Sequence, residues 1–351
     1  MAPLGPSARK RQLESTLDAN ARANGIAFGR YRDAFNRAIL LTTLDRAKRL
    51  GILEDYHLKG GAAIELRHGF GVRATRDIDI EIAVPITELT TAFASALAVG
   101  CGEFTFALRP GERAVREDAI SVAVVMHYVG RPWATISVDL APAQSGVLAD
   151  DLPLIIVEFP DITGDVRTMR TEFQMAQKIH AITMGDPPDY QLAYARHVVD
   201  VLYLSGTGVE PALVAAACQA VFDARAKNDG RSWPPPMVVL PERWIADYGV
   251  TLEGYGMPLS PQDVPRAFLT FLTTILGGVV PMPGYEYQFV SLGVTPIDRA
   301  PLGGPIEAAG LQHEHFIALA ANGWRVRSMC PNPRADNHVL IILEREVPSA
   351  T

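Results

Sequence analysis

Cysteine is nearly absent from this chain. Cys101, Cys218 and Cys330 are its only three, far apart and without a CxxC spacing. That excludes a disulfide framework and a zinc-knuckle set, and it fits a reducing compartment. Positive charge is not in excess either: 32 Lys and Arg face 39 Asp and Glu, a formal net charge of −7. The balance excludes a surface coated with nucleic acid but allows a local basic cleft. Long uncharged apolar runs are also missing. The longest, Ala267 to Pro283, is interrupted by threonine, glycine and proline. It reads as a buried helix and turn, so no membrane span is expected. The segment from Met1 to Leu17 is charged and has no apolar h-region, so no secretory signal is expected and the expected location is the cytoplasm.

The 351 residues are long enough for two domains. Residues 8–50 show helical spacing in Tyr31, Phe35, Ala38, Ile39 and Leu41 to Leu44. The period then changes. Leu58 to Gly61 reads as a strand end and tight turn, and Ala62 to His68 as a short helix. Ile78, Ile80 and Ile82 alternate with Asp77, Asp79 and Glu81, the pattern of a strand with one wet face. Further strands are expected at 119–128, 134–140 and 154–157, helices at 171–185 and 190–205, and a helix pair near 261–276. Arg231 to Pro241 is proline-rich and must be extended. After Pro281-Met282-Pro283-Gly284 a second unit is expected: a strand at 285–292, a helix at 307–322 and strands at 324–330 and 338–346. The expected class is α+β, with domains at 1–280 and 285–351.

Four segments carry candidate chemistry. Lys59-Gly60-Gly61 stands at a strand-to-helix turn, where two glycines let a phosphate approach the backbone and free helix N–H groups face an anion. Such a pair also makes an ordinary turn. Asp77 and Asp79 are spaced to share one strand face. Two like charges there repel unless a cation lies between them, and Mg²⁺ takes oxygen ligands together with substrate phosphates. A solvated strand face gives the same spacing. Asp139, at the end of an apolar strand, is a candidate third ligand or an acid facing water. Lys178 interrupts an apolar helix face and either snorkels to water or reaches a triphosphate. Arg196 and Asp200 have the spacing of a helical salt pair.

The run from Leu58 to Ile80, LKGGAAIELRHGFGVRATRDIDI, followed by a strand acid, a helix with an inward lysine and an RxxxD helix, resembles the AbiEii/AbiGii toxin family of nucleotidyltransferases. That family includes MenT-like toxins and lies within the DNA polymerase β-like superfamily. The resemblance covers about residues 10–280. It implies a mixed sheet with flanking helices and a helical C-terminal part. It further implies Mg²⁺ (or Mn²⁺) as cofactor, an NTP as substrate, RNA such as the tRNA 3′ end as acceptor, and an antitoxin as partner. By position, Lys59, Gly60, Gly61 and Thr75 would hold the nucleotide. Asp77 and Asp79, with Asp139, would bind metal. Lys178 would contact the triphosphate, and Asp200 would act as a base or beside the metal. Gln177 and His197 depart from the family's usual Glu and Asp, which bears on substrate choice.

An RNA acceptor predicts a basic rim, with Arg67, Arg73, Arg76, Arg109, Arg113, Arg116 and Arg170 as candidates. A small-molecule or protein acceptor, and a catalytically silent nucleotide-binding regulator, are the competing readings. The C-terminal unit resembles a small domain of YEYKVV/GWELVSV pattern, carried by Tyr285 to Val290, Gly323 to Val326 and Ile342 to Arg345, with docking as its expected role. His313 and His315 suggest a metal, but a spacing of two on a helix points such side chains apart, which favours docking over metal binding.

Overall fold

In the computed structural model the described residues are 4–75, 77–109, 111, 113–116, 119–143, 152–160, 162–183, 191–235, 238, 240–276, 285–293, 325–331 and 338–346. The chain divides into two compact units, residues 1–170 with 254–256, and residues 171–253 with 257–351.

The first unit is built on one mixed sheet. Its strands are β1 (Tyr56–Lys59), β2 (Ile78–Ile82), β3 (Phe104–Leu108), β4 (Arg113–Arg116), β5 (Ala119–Tyr128) and β6 (Arg131–Pro142). The order is β1-β2-β6-β5-β3, with β4 also on β5. Only the β2–β6 pairing is parallel among these contacts; β1–β2 and β5–β6 are antiparallel. Helices α1 (Pro6–Ala23), α2 (Phe28–Arg49), α3 (Gly60–His68) and α4 (Leu89–Leu97) flank it. Ile78, Ile80 and Ile82 meet Val138 and Leu140 in the core, together with Phe35 and Ile39 of α2 and Phe93 of α4. A hairpin, β7 (Leu154–Phe159) with β8 (Ile162–Arg167), packs on α2 and reaches β1 through a Leu58–Thr168 bridge.

The second unit contains α5 (Thr171–Ile182), α6 (Gln191–Ser205), α7 (Pro211–Asp229), α9 (Val264–Ile275) and all but the last two residues of α8 (Ile245–Tyr255). It also contains a separate antiparallel sheet of β9 (Tyr285–Gly293), β10 (Arg325–Pro331) and β11 (His338–Glu346) in the order β10-β11-β9. The helix expected at 307–322 and the break at 281–284 lie outside the described residues. The pair expected near 261–276 is one helix, α9, entered through a short 3-10 turn at Pro261–Asp263. No helix among the described residues is long and apolar enough to cross a membrane. Cys101 and Cys218 are free thiols.

Strands β3, β4 and β8 and helices α4, α7 and α8 were not foreseen from the periodicity. Strand β6 is also longer than its apolar stretch, because it continues over Arg131 to Trp133 along β5.

Candidate active site

The site begins where β1 passes into α3 without a loop. Lys59 is still extended, and Gly60, with φ of +69°, turns the chain into the helix. A side chain at Gly60 would be strained by that φ, and its Cβ would run into the Asp79 carboxylate. Asp79 therefore lies directly against the glycine turn. At Gly61 a Cβ would come 3.0 Å from Thr75 Oγ1 and 3.2 Å from an Arg73 guanidinium nitrogen. The two glycines, Thr75 and Asp79 thus form one cradle at the N-terminus of α3.

Register places the carboxylates. Lys59 pairs with Asp79 across β1–β2, Asp79 with Asp139 across β2–β6, and Asp139 with Ser121 across β6–β5. Paired positions share a face of a sheet. Lys59, Asp79, Asp139 and Ser121 therefore form one polar row, on the face opposite Ile78, Ile80 and Leu140. Asp139 is not at a strand end; β6 continues to Pro142 because Ala141 and Pro142 keep pairing with β2. Asp77 is not on the strand. Pairing starts at Ile78, which leaves Asp77 exposed one residue before β2.

The face of β2 expected to be wet is closed at Glu81, which is only 1% exposed. Lys59 Nζ lies 2.5 Å from Glu81 Oε1, so the charge Lys59 would offer a phosphate is already matched. His57 Nε2 stands 3.0 Å from Glu81 Oε2, off the axis of a straight hydrogen bond. Burial alone would raise the Glu81 carboxyl. Lys59 and His57 together outweigh burial and pull it down to about 2.

A second buried network holds the segment that carries Thr75. Glu65 of α3 accepts from Arg37 at 2.6 Å and from Arg30 at 3.1 Å, both on α2. Arg37 also donates to the Thr75 carbonyl at 2.8 Å, and the Thr75 N–H points to Glu65 Oε2 at 3.4 Å. Of the rim candidates, Arg67 donates to Thr168 Oγ1 and the Met169 carbonyl, which makes it a tie between α3 and the end of the hairpin. Arg109 is exposed, and Arg76 lies outside the described residues.

In the second unit, Lys178 of α5 and Asp200 of α6 are both buried and joined at 2.7 Å, with His197 Nδ1 3.4 Å from the amine. Asp200 thus turns inward to Lys178, while Arg196, its expected helical partner, is exposed.

Sequence reasoning passed over Glu65, Arg37 and Glu81 as site residues. Each had a signal. Arg37 and Glu65 are charges inside apolar helical stretches, and Glu81 continues the two-residue parity of Asp77 and Asp79.

A metal implied by paired carboxylates is compatible with this donor set. Among the described residues no group of three or more His, Cys, Asp or Glu side chains is gathered to hold an ion. Mg²⁺ does not require such a cage, since it is usually held by one or two carboxylates plus water and substrate phosphate. Asp79 and Asp139 supply those two.

A family model described as nucleotidyl transferase AbiEii toxin, type IV toxin–antitoxin system, matches residues 43–273. No curated protein matches the chain. Among solved structures, it is similar to an antigenic nucleotidyltransferase-like protein from Paracoccidioides brasiliensis. That match has 15% identity and a TM-score of 0.35, and covers 55% of this chain and 90% of the other. It is also similar to the antibiotic-resistance factor ANT(2'')-Ia, at 16% identity and a TM-score of 0.32, covering 55% of this chain and 94% of that one.

Proposed function

Because the chain belongs to the AbiEii nucleotidyl transferase toxin family, we propose that it moves a nucleoside monophosphate from an NTP to a hydroxyl of RNA, with pyrophosphate leaving. One observation carries the reading: the Asp79 carboxylate lies against the Gly60 turn, level with Asp139 on the next strand. An anionic triphosphate suits the start of α3, because the N–H groups and dipole of a helix N-terminus favour negative charge. Thr75, beside Gly61, offers a hydroxyl to the same phosphates.

Asp79 and Asp139 would hold Mg²⁺, and Asp77, exposed one residue before β2, is the further candidate ligand. When bound, the ion supplies charge neutralisation at the phosphates and alignment of the acceptor oxygen. The chain's own contribution is placement. The glycine cradle fixes the phosphates, and the polar row fixes the two acids. Lys178 and Asp200 are assigned a triphosphate contact and a proton-accepting role through the family resemblance. The type IV toxin–antitoxin membership supports a cognate antitoxin as partner.

The test is incubation of purified protein with each labelled NTP, Mg²⁺ and total RNA. Label in RNA that is lost in Asp79→Asn supports the reading. RNA left unlabelled by every NTP removes RNA as the acceptor.

A further inference from the structure

The Glu65–Arg37 pair occupies a place that stability alone does not explain. A buried ion pair is often no more stabilising than apolar residues of the same volume. This one binds both backbone groups of a single residue: Arg37 holds the Thr75 carbonyl at 2.8 Å, and Glu65 Oε2 faces the Thr75 N–H at 3.4 Å. Arg30 extends the grip by donating to the Val72 carbonyl. The spacings suit the task. Arg30 and Arg37 lie seven residues apart, on one stripe of α2. Glu65 lies four residues after Gly61, on the same side of α3 as the glycine that Thr75 touches.

We propose that Glu65 and Arg37 are positioning residues for nucleotide binding, fixing the Thr75 backbone so that its hydroxyl stays against Gly61 at the start of α3. The proposal rests on the nucleotidyltransferase reading. Neither side chain is assigned contact with the nucleotide; both act through Thr75.

The experiment is a double-mutant cycle on the full chain with Arg37→Lys, Thr75→Ala and the double variant. Lysine keeps the charge but cannot span Glu65 and the Thr75 carbonyl together. The expected result for Arg37→Lys is a KM for the NTP raised about tenfold, the worth of one well-placed hydrogen bond, with kcat little changed. In the Thr75→Ala background the same change should add almost nothing, because its target is gone. Without nucleotide, amide exchange at residues 72–75 should quicken in Arg37→Lys while β2 stays protected. Glu65→Gln, which keeps an oxygen for the Thr75 N–H, should fall between wild type and Arg37→Lys, and serves if Arg37→Lys does not fold. Equal, multiplicative losses in both backgrounds would overturn the proposal, as would unchanged exchange at 72–75. A wild type that binds no NTP defeats the parent reading and this proposal together. A wild type that transfers normally while the cycle is additive defeats the proposal alone.

Discussion

Asp79 on β2 and Asp139 on β6 occupy the same register of a parallel strand pair, so their carboxylates leave the sheet side by side on one face. Like charges so placed repel, which is tolerable where a cation is to lie between them. Asp139→Asn removes that repulsion without opening a cavity. Its melting temperature without metal should hold or rise slightly, the stabilisation brought by Mg²⁺ with NTP should shrink, and transfer should be lost. Melting curves with and without Mg²⁺ and NTP check this. A much earlier melt without metal would assign Asp139 a structural role.

Gly60 and Gly25 share a left-handed backbone, with φ of +69° and +67°, but only Gly60 has a neighbour where a Cβ would stand. Alanine at either position should cost about 1–2 kcal/mol in denaturant unfolding from backbone strain. Only Gly60→Ala should also abolish transfer, because it displaces Asp79. Equal activity of the two variants would remove the glycine cradle from the mechanism.

How much of this was legible in the sequence depends on what each residue's neighbours decide. The glycine turn, the strand at Ile78 and the acid at Asp139 are local signals, and the structure brings Gly60, Gly61, Thr75, Asp79 and Asp139 together as their order suggested. The closed face at Glu81 was not legible. Alternation of isoleucine with acids looks the same whether the second face meets water or meets Lys59 and His57 from a strand some twenty residues earlier. The Glu65 network likewise depends on a helix that lies outside its own segment. Strand β3 and helix α4 are short but regular: Phe104, Phe106 and Leu108 alternate with Thr105 and Ala107, and Leu89, Phe93, Ala96 and Leu97 recur at helical spacing, so both were legible and were overlooked.

Glu81 makes stability depend on acid. Its carboxyl is held at about 2 in the folded chain against an ordinary 4.5. A depressed carboxyl contributes stability that is complete above its unfolded pKa and is lost as pH falls towards the folded one. The loss should amount to on the order of 3 kcal/mol between about pH 4.5 and pH 2. Glu81→Gln should melt earlier at pH 7, because it leaves Lys59 and His57 without their anion, and should flatten the acid slope. Urea unfolding from pH 2 to 7 measures both; an unchanged slope would contradict the assignment.

His180 acts in a higher window. Burial first, then the Arg225 and Arg231 guanidiniums, lower its pKa from 6.5 to about 3. The folded chain then refuses a proton that the unfolded chain accepts, so stability falls as pH drops from about 6.5 towards 3. His180→Gln should remove the part of that slope between pH 6.5 and 5, where Glu81 contributes nothing. Retention of the full slope by the variant would show that another group titrates there.

Lys178 and Asp200 separate stability from chemistry. Lys178→Met leaves the buried Asp200 carboxylate without its lysine and should cost about 3–5 kcal/mol. The double variant Lys178→Met with Asp200→Leu should recover most of that stability and none of the transfer. Recovered transfer would reduce the pair to a structural contact.

Nucleotidyl transfer is assigned to the Asp79 row. Its most direct measurement is single-turnover transfer of labelled nucleoside monophosphate from the preferred NTP to RNA, by wild type and Asp79→Asn at equal folded concentration. Wild type should leave label in RNA with pyrophosphate released in equal amount, and Asp79→Asn should leave none. Transfer by Asp79→Asn at the wild-type rate would contradict the assignment.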